Sequence, residues 1–420
     1  MRPFPRMKIL STPSVALLAS ITLLSQSLLA NDWPQWRGAD RSDRSPETGL
    51  LKSWPESGPK RVWLFQDAGI GYSGFAVVKG RVYTLGARGQ QEFLIALSAK
   101  DGKEVWATPI GETYPNNWGD GPRGTPTVDA DFVYGLAANG GLICVAAADG
   151  KAVWQVKMQD FGGTVPGWGY CESVVVDGRQ VVCTPGSKKG SLVALDKKTG
   201  SLLWQSKDFT EAPHYSSIVP VHFNGIDQFV QLTPKAVVGV KAIDGSVLWQ
   251  SPWAGKVAVI PTPIWKDGYV YITSGYGAGC KLVKVGKDYA VSEVYENKVM
   301  KNHHGGVVLA GDHLYGHSDG AGWVCQEFLT GKEVWSSKNF GKGAVTYAEG
   351  MLYCVDESSG AVALVEASPK GWNEHSRFKL DPQTTLRKPE GRIWTHPVIS
   401  NGRLYLRDQD LIYCFDVKGK

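Results

Sequence analysis

The residues with most capacity for chemistry lie at 302–306, where Asn302, His303, His304, Gly305 and Gly306 follow one another. Adjacent histidines on a strand point to opposite faces, so at most one would reach a shared site unless the segment is a loop. A zinc centre would need partners such as His214, His396 or Glu172, with neutral imidazoles at about 2.0–2.1 Å from the metal. These are distant in sequence, and the expectation is no metal, with the histidines as hydrogen-bonding groups. Asp408 or Asp410, in the run Arg407-Asp408-Gln409-Asp410, could act as a base. The same run reads equally as a strand-end turn in which Arg407 pairs with a carboxylate. Arg123, Trp168, Tyr170, Tyr215 and Trp394 add cationic and aromatic binding groups. The sequence has no GxSxG, HExxH or phosphate-binding loop, and glycine-rich pieces such as 275–279 read as turns.

The elements that must position these residues are repeats. Residues 194–204, ALDKKTGSLLW, read as a strand, a tight turn at Thr199-Gly200 and a returning strand. Related stretches recur, closed by Trp106, Trp154, Trp204, Trp249, Tyr295 and Trp335, at steps of 48, 50, 45, 46 and 40 residues. Four short strands fit each step, which predicts an all-β propeller. Seven full units begin at about residues 74, 125, 173, 217, 262, 306 and 344. Residues 395–417 supply three strands only. The unmatched segment 61–65, RVWLF, carries Trp63 in the outer-strand position, so pairing it with the last unit completes an eighth blade and removes an open edge. Trp63, Trp106, Trp154, Trp204, Trp249 and Trp335 are expected to dock between blades as core, since a buried indole covers about 150–250 Å².

Composition agrees. The chain of 420 residues is 43% hydrophobic with 50 glycines and 16 tryptophans, as a turn-rich β protein with an ample core requires. Net charge is +5. Three of the 45 cations, Arg2, Arg6 and Lys8, lie in residues 1–30, which read as a secretory signal; without them the excess over 40 anions is +2. Such a balance gives nucleic acid no purchase. No membrane span is expected after signal removal, and residues 31–60 read as an extended N-terminal arm ahead of a propeller at 61–420. Cys144, Cys325 and Cys414 fall in the slot that Ala194 occupies, a place for a small buried residue, so the seven cysteines are read as mostly free thiols.

In a propeller the segments entering the inner strands gather at one mouth of the central channel. That collects Arg123, Trp168, Tyr170, Glu172, His214, Tyr215, Asn302, His303, His304, Trp394 and His396, with Arg407 and Asp408 on the last blade.

The motif Ala-x-Asp-x-x-Thr-Gly followed by Trp, matched in full by Ala194, Asp196, Thr199, Gly200 and Trp204, resembles the docking repeat of the quinoprotein alcohol dehydrogenase-like (PQQ-binding-like) propellers. Partial copies occur at Asp149, Gly150 and Trp154 and at Thr330, Gly331 and Trp335. The resemblance implies eight blades. It extends to both PQQ dehydrogenases and BamB-type scaffold propellers, and the single-domain size with a secretion signal is more similar to the scaffolds. It thus implies a monomeric, non-catalytic binding propeller in the periplasm or bacterial cell envelope, with a protein partner or small-molecule ligand at the mouth and no cofactor. The dehydrogenase alternative would need PQQ with calcium: Glu172 and Asn302 as calcium ligands, Trp168 or Trp394 as a floor, and Asp408 or Asp410 as base. A carbohydrate-binding protein is the third alternative.

Overall fold

The computed structural model describes Met1 and residues 31–419; the expected leader, residues 1–30, lies outside the described residues but for Met1. Eight four-stranded antiparallel sheets follow one another around a ring, at 76–112, 127–157, 175–205, 219–252, 264–297, 307–337, 343–379 and 398–416. The last sheet is completed by Arg61–Phe65, which pairs antiparallel with Leu411–Asp416 and sets Trp63 opposite Cys414. The ring is therefore closed by its own N-terminal strand, as the spacing predicts. Among the described residues the helical content is one 3₁₀ turn, Met158–Phe161, and no helix is long and apolar enough to cross a membrane.

All but one of the docking side chains are held in the same way. Trp63, Trp106, Trp154 and Trp204 donate their indole N–H to Ala99, Ala147, Lys197 and Ala242 of the following blade. Tyr295 stands in for tryptophan and its hydroxyl donates to Phe328 O, while Trp335 reaches Ser368 O. The ring lies under the turn of the next blade. A Cβ on Gly200 would stand 2.8 Å from the Trp154 ring, and its φ of 73° is left-handed, so two separate constraints select glycine there. Trp249 departs from the pattern: its indole donates within its own blade to Gln228 Oε1. The fifth blade turns at Gly286-Lys287-Asp288 and brings no matching Asp-Gly turn over it.

The small-residue slot has a cause. Ala96, Cys144, Ala194, Gly239, Cys325 and Cys414 are the cross-strand partners of Trp106, Trp154, Trp204, Trp249, Trp335 and Trp63. At Gly239 a Cβ would lie 2.2 Å from the Trp249 indole. All seven cysteines are free.

The seventh blade has no docking tryptophan of its own; Ser376 occupies the position, opposite Leu364. The arm supplies one. Trp54 donates its backbone N–H to Ser376 Oγ, and its indole packs on Tyr353 and Phe378.

Candidate functional site

The N-terminal segment 31–60 does not project from the ring. Residues 33–45 cross the central channel and bond to the inner part of every blade. Trp33 exchanges two backbone hydrogen bonds with Val77, and Pro34 O accepts from Val128 N. Arg41 donates to Ser173 O, Val174 O and Ile218 O of the third and fourth blades. Trp36 Nε1 donates to Thr262 Oγ1, and Arg37 to Val307 O. Arg44-Ser45 adds a parallel fifth strand to the seventh blade, and Ser45 Oγ donates to Ile399 O of the eighth.

Arg37, Arg41 and Asp43 all have left-handed φ, between 57° and 61°. Non-glycine residues adopt that conformation at a cost of about 1–3 kcal/mol, and it persists only where the surroundings enforce it. Here the buried side chains do so: Arg37 pairs with Asp43 at 3.2 Å, and Asp43 also faces His396 Nδ1 at 3.1 Å. The arm is a plug.

Above the plug is a pocket of 190 Å³ at the channel mouth. Trp36 closes it from the arm side, with its ring 4.6 Å from that of His396. Trp168 and Tyr215 form one wall, Tyr72 and Trp394 another, packed edge to face or tilted. Trp118 and Tyr276 stand at the rim, 43% and 40% exposed. Ser173 and Ser217 contribute hydroxyls whose oxygens accept from Thr125 N and Ser173 N, leaving each O–H free of a partner among the described residues.

Two polar regions face this aromatic pocket. Arg123 lies over the Tyr72 ring at 5.4 Å and donates to Gly119 O and Gly121 O. Among the described residues it has no carboxylate in ion-pair distance, since neighbouring Asp120 is taken by Lys388 at 2.7 Å. On the opposite side, His303 Nδ1 accepts from Lys342, which pairs with Asp319. Burial, with Lys342 adding to it, pushes His303 down to about 4. Burial also holds His304, 3.3 Å from Glu357, well below the usual histidine range. Both imidazoles are neutral at pH 7. Burial pushes Glu357 up to about 7 against the pull of Lys342.

Of the mouth residues picked from sequence, Arg123, Trp168, Tyr215, His303, His304, Trp394 and His396 line the pocket. Six others have structural partners elsewhere. Tyr170 is core, its hydroxyl donating to Pro185 O. Glu172 accepts from the Thr184 N–H and hydroxyl, and burial pushes it up to about 8. His214 Nδ1 accepts from Val259 N, and burial takes it down to about 4. Asn302 Nδ2 donates to Gly306 O and His317 O. Arg407 does not pair with a carboxylate: its guanidinium binds Gly69 O, Ser73 O, Leu85 O and Gln409 O and the Thr84 hydroxyl. Asp408 pairs with Arg387 instead.

What sequence reasoning missed is chiefly Trp36, Trp118 and Tyr276, and the plug arginines. The available signal was WPQWRGADRSDR, two tryptophans and three arginines with no place in the repeat.

The residues do not fit calcium-held PQQ. A hard cation takes carboxylate and amide oxygens, yet no carboxylate or amide side chain lines the pocket, Glu172 and Asp408 are committed to protein groups, and the one unpartnered candidate oxygen, Asn302 Oδ1, is buried outside the pocket lining with no carboxylate beside it in that lining. Among the described residues no group of three His, Cys, Asp or Glu could hold a metal. Nor does any pocket hydroxyl or thiol hydrogen-bond to a histidine or carboxylate; Cys171 contacts only backbone oxygens.

A family model described as outer membrane protein assembly factor BamB matches residues 52–160, 90–337 and 292–408. The chain belongs to this family of PQQ-type repeat propellers. No curated protein matches it. Among solved structures, BamB from Moraxella catarrhalis is similar at 15% identity and TM-score 0.60, over 85% of this chain and 99% of that one. Quinohemoprotein alcohol dehydrogenase from Comamonas testosteroni is similar at 11% identity and TM-score 0.64, over 95% and 82%. A europium-containing methanol dehydrogenase gives 12% and 0.61, over 92% and 91%. At these identities the likeness is one of fold.

Proposed function

We propose that this propeller is a non-catalytic binding protein of the bacterial cell envelope that seats its ligand in the aromatic pocket at the channel mouth. The observation that carries the reading is the pairing of plug and pocket. The arm stops the channel with a buried ion pair and with bonds to backbone groups, leaving a one-mouthed recess with aromatic walls and no assembled nucleophile. Aromatic surfaces with a few converging polar groups are the usual form of a ligand site. The envelope location rests on the reading of residues 1–30 as a secretory signal and on the family, whose description is an outer-membrane assembly factor.

The test is thermal melting of the purified protein against a panel of peptides, neutral and acidic oligosaccharides, and small aromatic compounds. A ligand that binds the native state alone at 100 times its Kd stabilises by about 2.7 kcal/mol. We expect a ligand-dependent rise in Tm that Trp168→Ala removes. A panel to which wild type and Trp168→Ala respond alike would overturn the reading.

A further inference from the structure

We infer that the mouth pocket takes one uronic acid residue of an acidic oligosaccharide, with the sugar carboxylate on Arg123 and the ring between the indoles of Trp168 and Trp394. This inference rests on the binding reading above and names its ligand class.

Three features point the same way. First, Arg123 is a cation at the edge of an aromatic recess with two hydrogen bonds, both to backbone carbonyls. A guanidinium carries five N–H donors in a planar fork suited to a carboxylate, so at least two remain for a ligand. The pocket lining contains no carboxylate to compete for it, and Asp120 is already neutralised by Lys388.

Second, the remaining polar groups suit hydroxyls rather than further charge. Ser173 and Ser217 keep free O–H donors facing the pocket. A neutral imidazole has one donor and one acceptor nitrogen; with Nδ1 of His303 already accepting from Lys342, its Nε2–H remains to donate to an alcohol oxygen. A peptide carboxylate would satisfy Arg123 but would leave these groups without partners, and buried polar groups left unpaired are costly.

Third, size and aromatic placement favour a ring over a chain. A volume of 190 Å³ is below the roughly 300–1,000 Å³ of sites for drug-sized ligands. That space suits one six-membered ring better than a folded peptide segment. The half-exposed Trp118 and Tyr276 at the rim then offer stacking faces to the next sugar outside. Stacking supplies affinity without reading sequence or charge, and Arg123 supplies the preference for the acid.

Isothermal titration with trigalacturonate, and with galactotriose as its neutral counterpart, tests this. The wild-type protein is expected to bind trigalacturonate at least about tenfold more tightly than galactotriose, with affinity falling as salt rises. Arg123→Gln is expected to erase that preference while its Tm stays near wild type, and Arg123→Lys, which keeps charge without the fork, to retain part of it. Should Arg123→Gln fail to fold, the salt dependence of the wild type and the Arg123→Lys titration decide instead. Equal binding of both sugars, or an Arg123→Gln variant that keeps the preference, overturns the inference. If both sugars fail while another panel member still stabilises the protein in a Trp168-dependent way, the acidic-sugar inference falls and the binding reading stands. If nothing binds, both fall.

Discussion

The Trp54 indole packs on Tyr353 with 5.8 Å between ring centroids, where the outer strand of the seventh blade carries Ser376. In the eighth, first, second and sixth blades the same relationship joins Trp63 to Tyr405, Trp106 to Tyr83, Trp154 to Tyr134 and Trp335 to Tyr315, at 5.9–6.2 Å. The arm therefore completes the girdle from outside the repeat, and the ring has a docking aromatic at the seventh blade only because the chain returns there.

Trp54→Ala should consequently cost as much as loss of a repeat tryptophan. Truncating a buried tryptophan costs about 3–5 kcal/mol. Trp54 is 7% exposed, comparable with Trp204 at 9%. Denaturant unfolding of Trp54→Ala and Trp204→Ala is expected to show losses of similar size. A Trp54→Ala change below about 1 kcal/mol would show that the seventh blade does not need the indole.

Arg41 is the keystone of the plug. It is 2% exposed and serves three carbonyls on two blades. Arg41→Met removes its donors from Ser173 O and Ile218 O, while Val174 O keeps the Thr127 hydroxyl, at about 1–3 kcal/mol for each group left unsatisfied. Hydrogen exchange gives a local readout: the amides of Val77, Val128 and Tyr347 donate to arm carbonyls and are expected to exchange faster in Arg41→Met. Unchanged protection at all three would mean that the arm stays seated without its arginine.

Buried carboxyls give the stability a defined pH dependence. Burial raises Glu172 to about 8 and Glu92 and Glu357 to about 7. A group whose folded value is raised holds its stabilising contribution at low pH and loses it as pH climbs through the folded value. The buried His214 and His303, lowered to about 4, act oppositely: their contribution is present above pH 6.5 and is lost on acidification. At pH 6.5 the unfolded histidines are still half protonated and oppose the carboxyls, but between pH 7 and 8 they are mostly neutral and the carboxyls dominate, so unfolding free energy should fall with rising pH across that range. A tenfold change in proton affinity between the folded and unfolded chain corresponds to about 1.4 kcal/mol. Glu172→Gln, which keeps hydrogen-bonding capacity without ionising, should flatten the slope, measured by urea unfolding across that range. An unchanged slope would remove Glu172 as its source.

The blades were legible in the sequence because their physics is local and repeated. A turn glycine such as Gly200 must take left-handed φ and also clear the Trp154 ring, and a small residue such as Cys144 must sit opposite that tryptophan; both leave a mark at fixed spacing. The pocket was half legible for the same reason, since segments that enter inner strands converge at one mouth. The arm was not. Its partners are mostly backbone groups spread around the ring, which carry no side-chain signature, so nothing in Arg37, Arg41 or Trp54 announces its seat. Glu172 and Arg407 misled for a related reason: residue type suggests a ligand, while geometry gives each a full set of partners in the protein.

On the binding reading, this member of a family of quinoprotein-like propellers takes its ligand at the mouth and performs no quinone chemistry. Equilibrium dialysis of the purified protein against PQQ and calcium, followed by dye-linked oxidation of alcohols and sugars, puts that to the sharpest test. The expected outcome is that no quinone is retained and no substrate is oxidised. Stoichiometric retained PQQ with turnover would refute it.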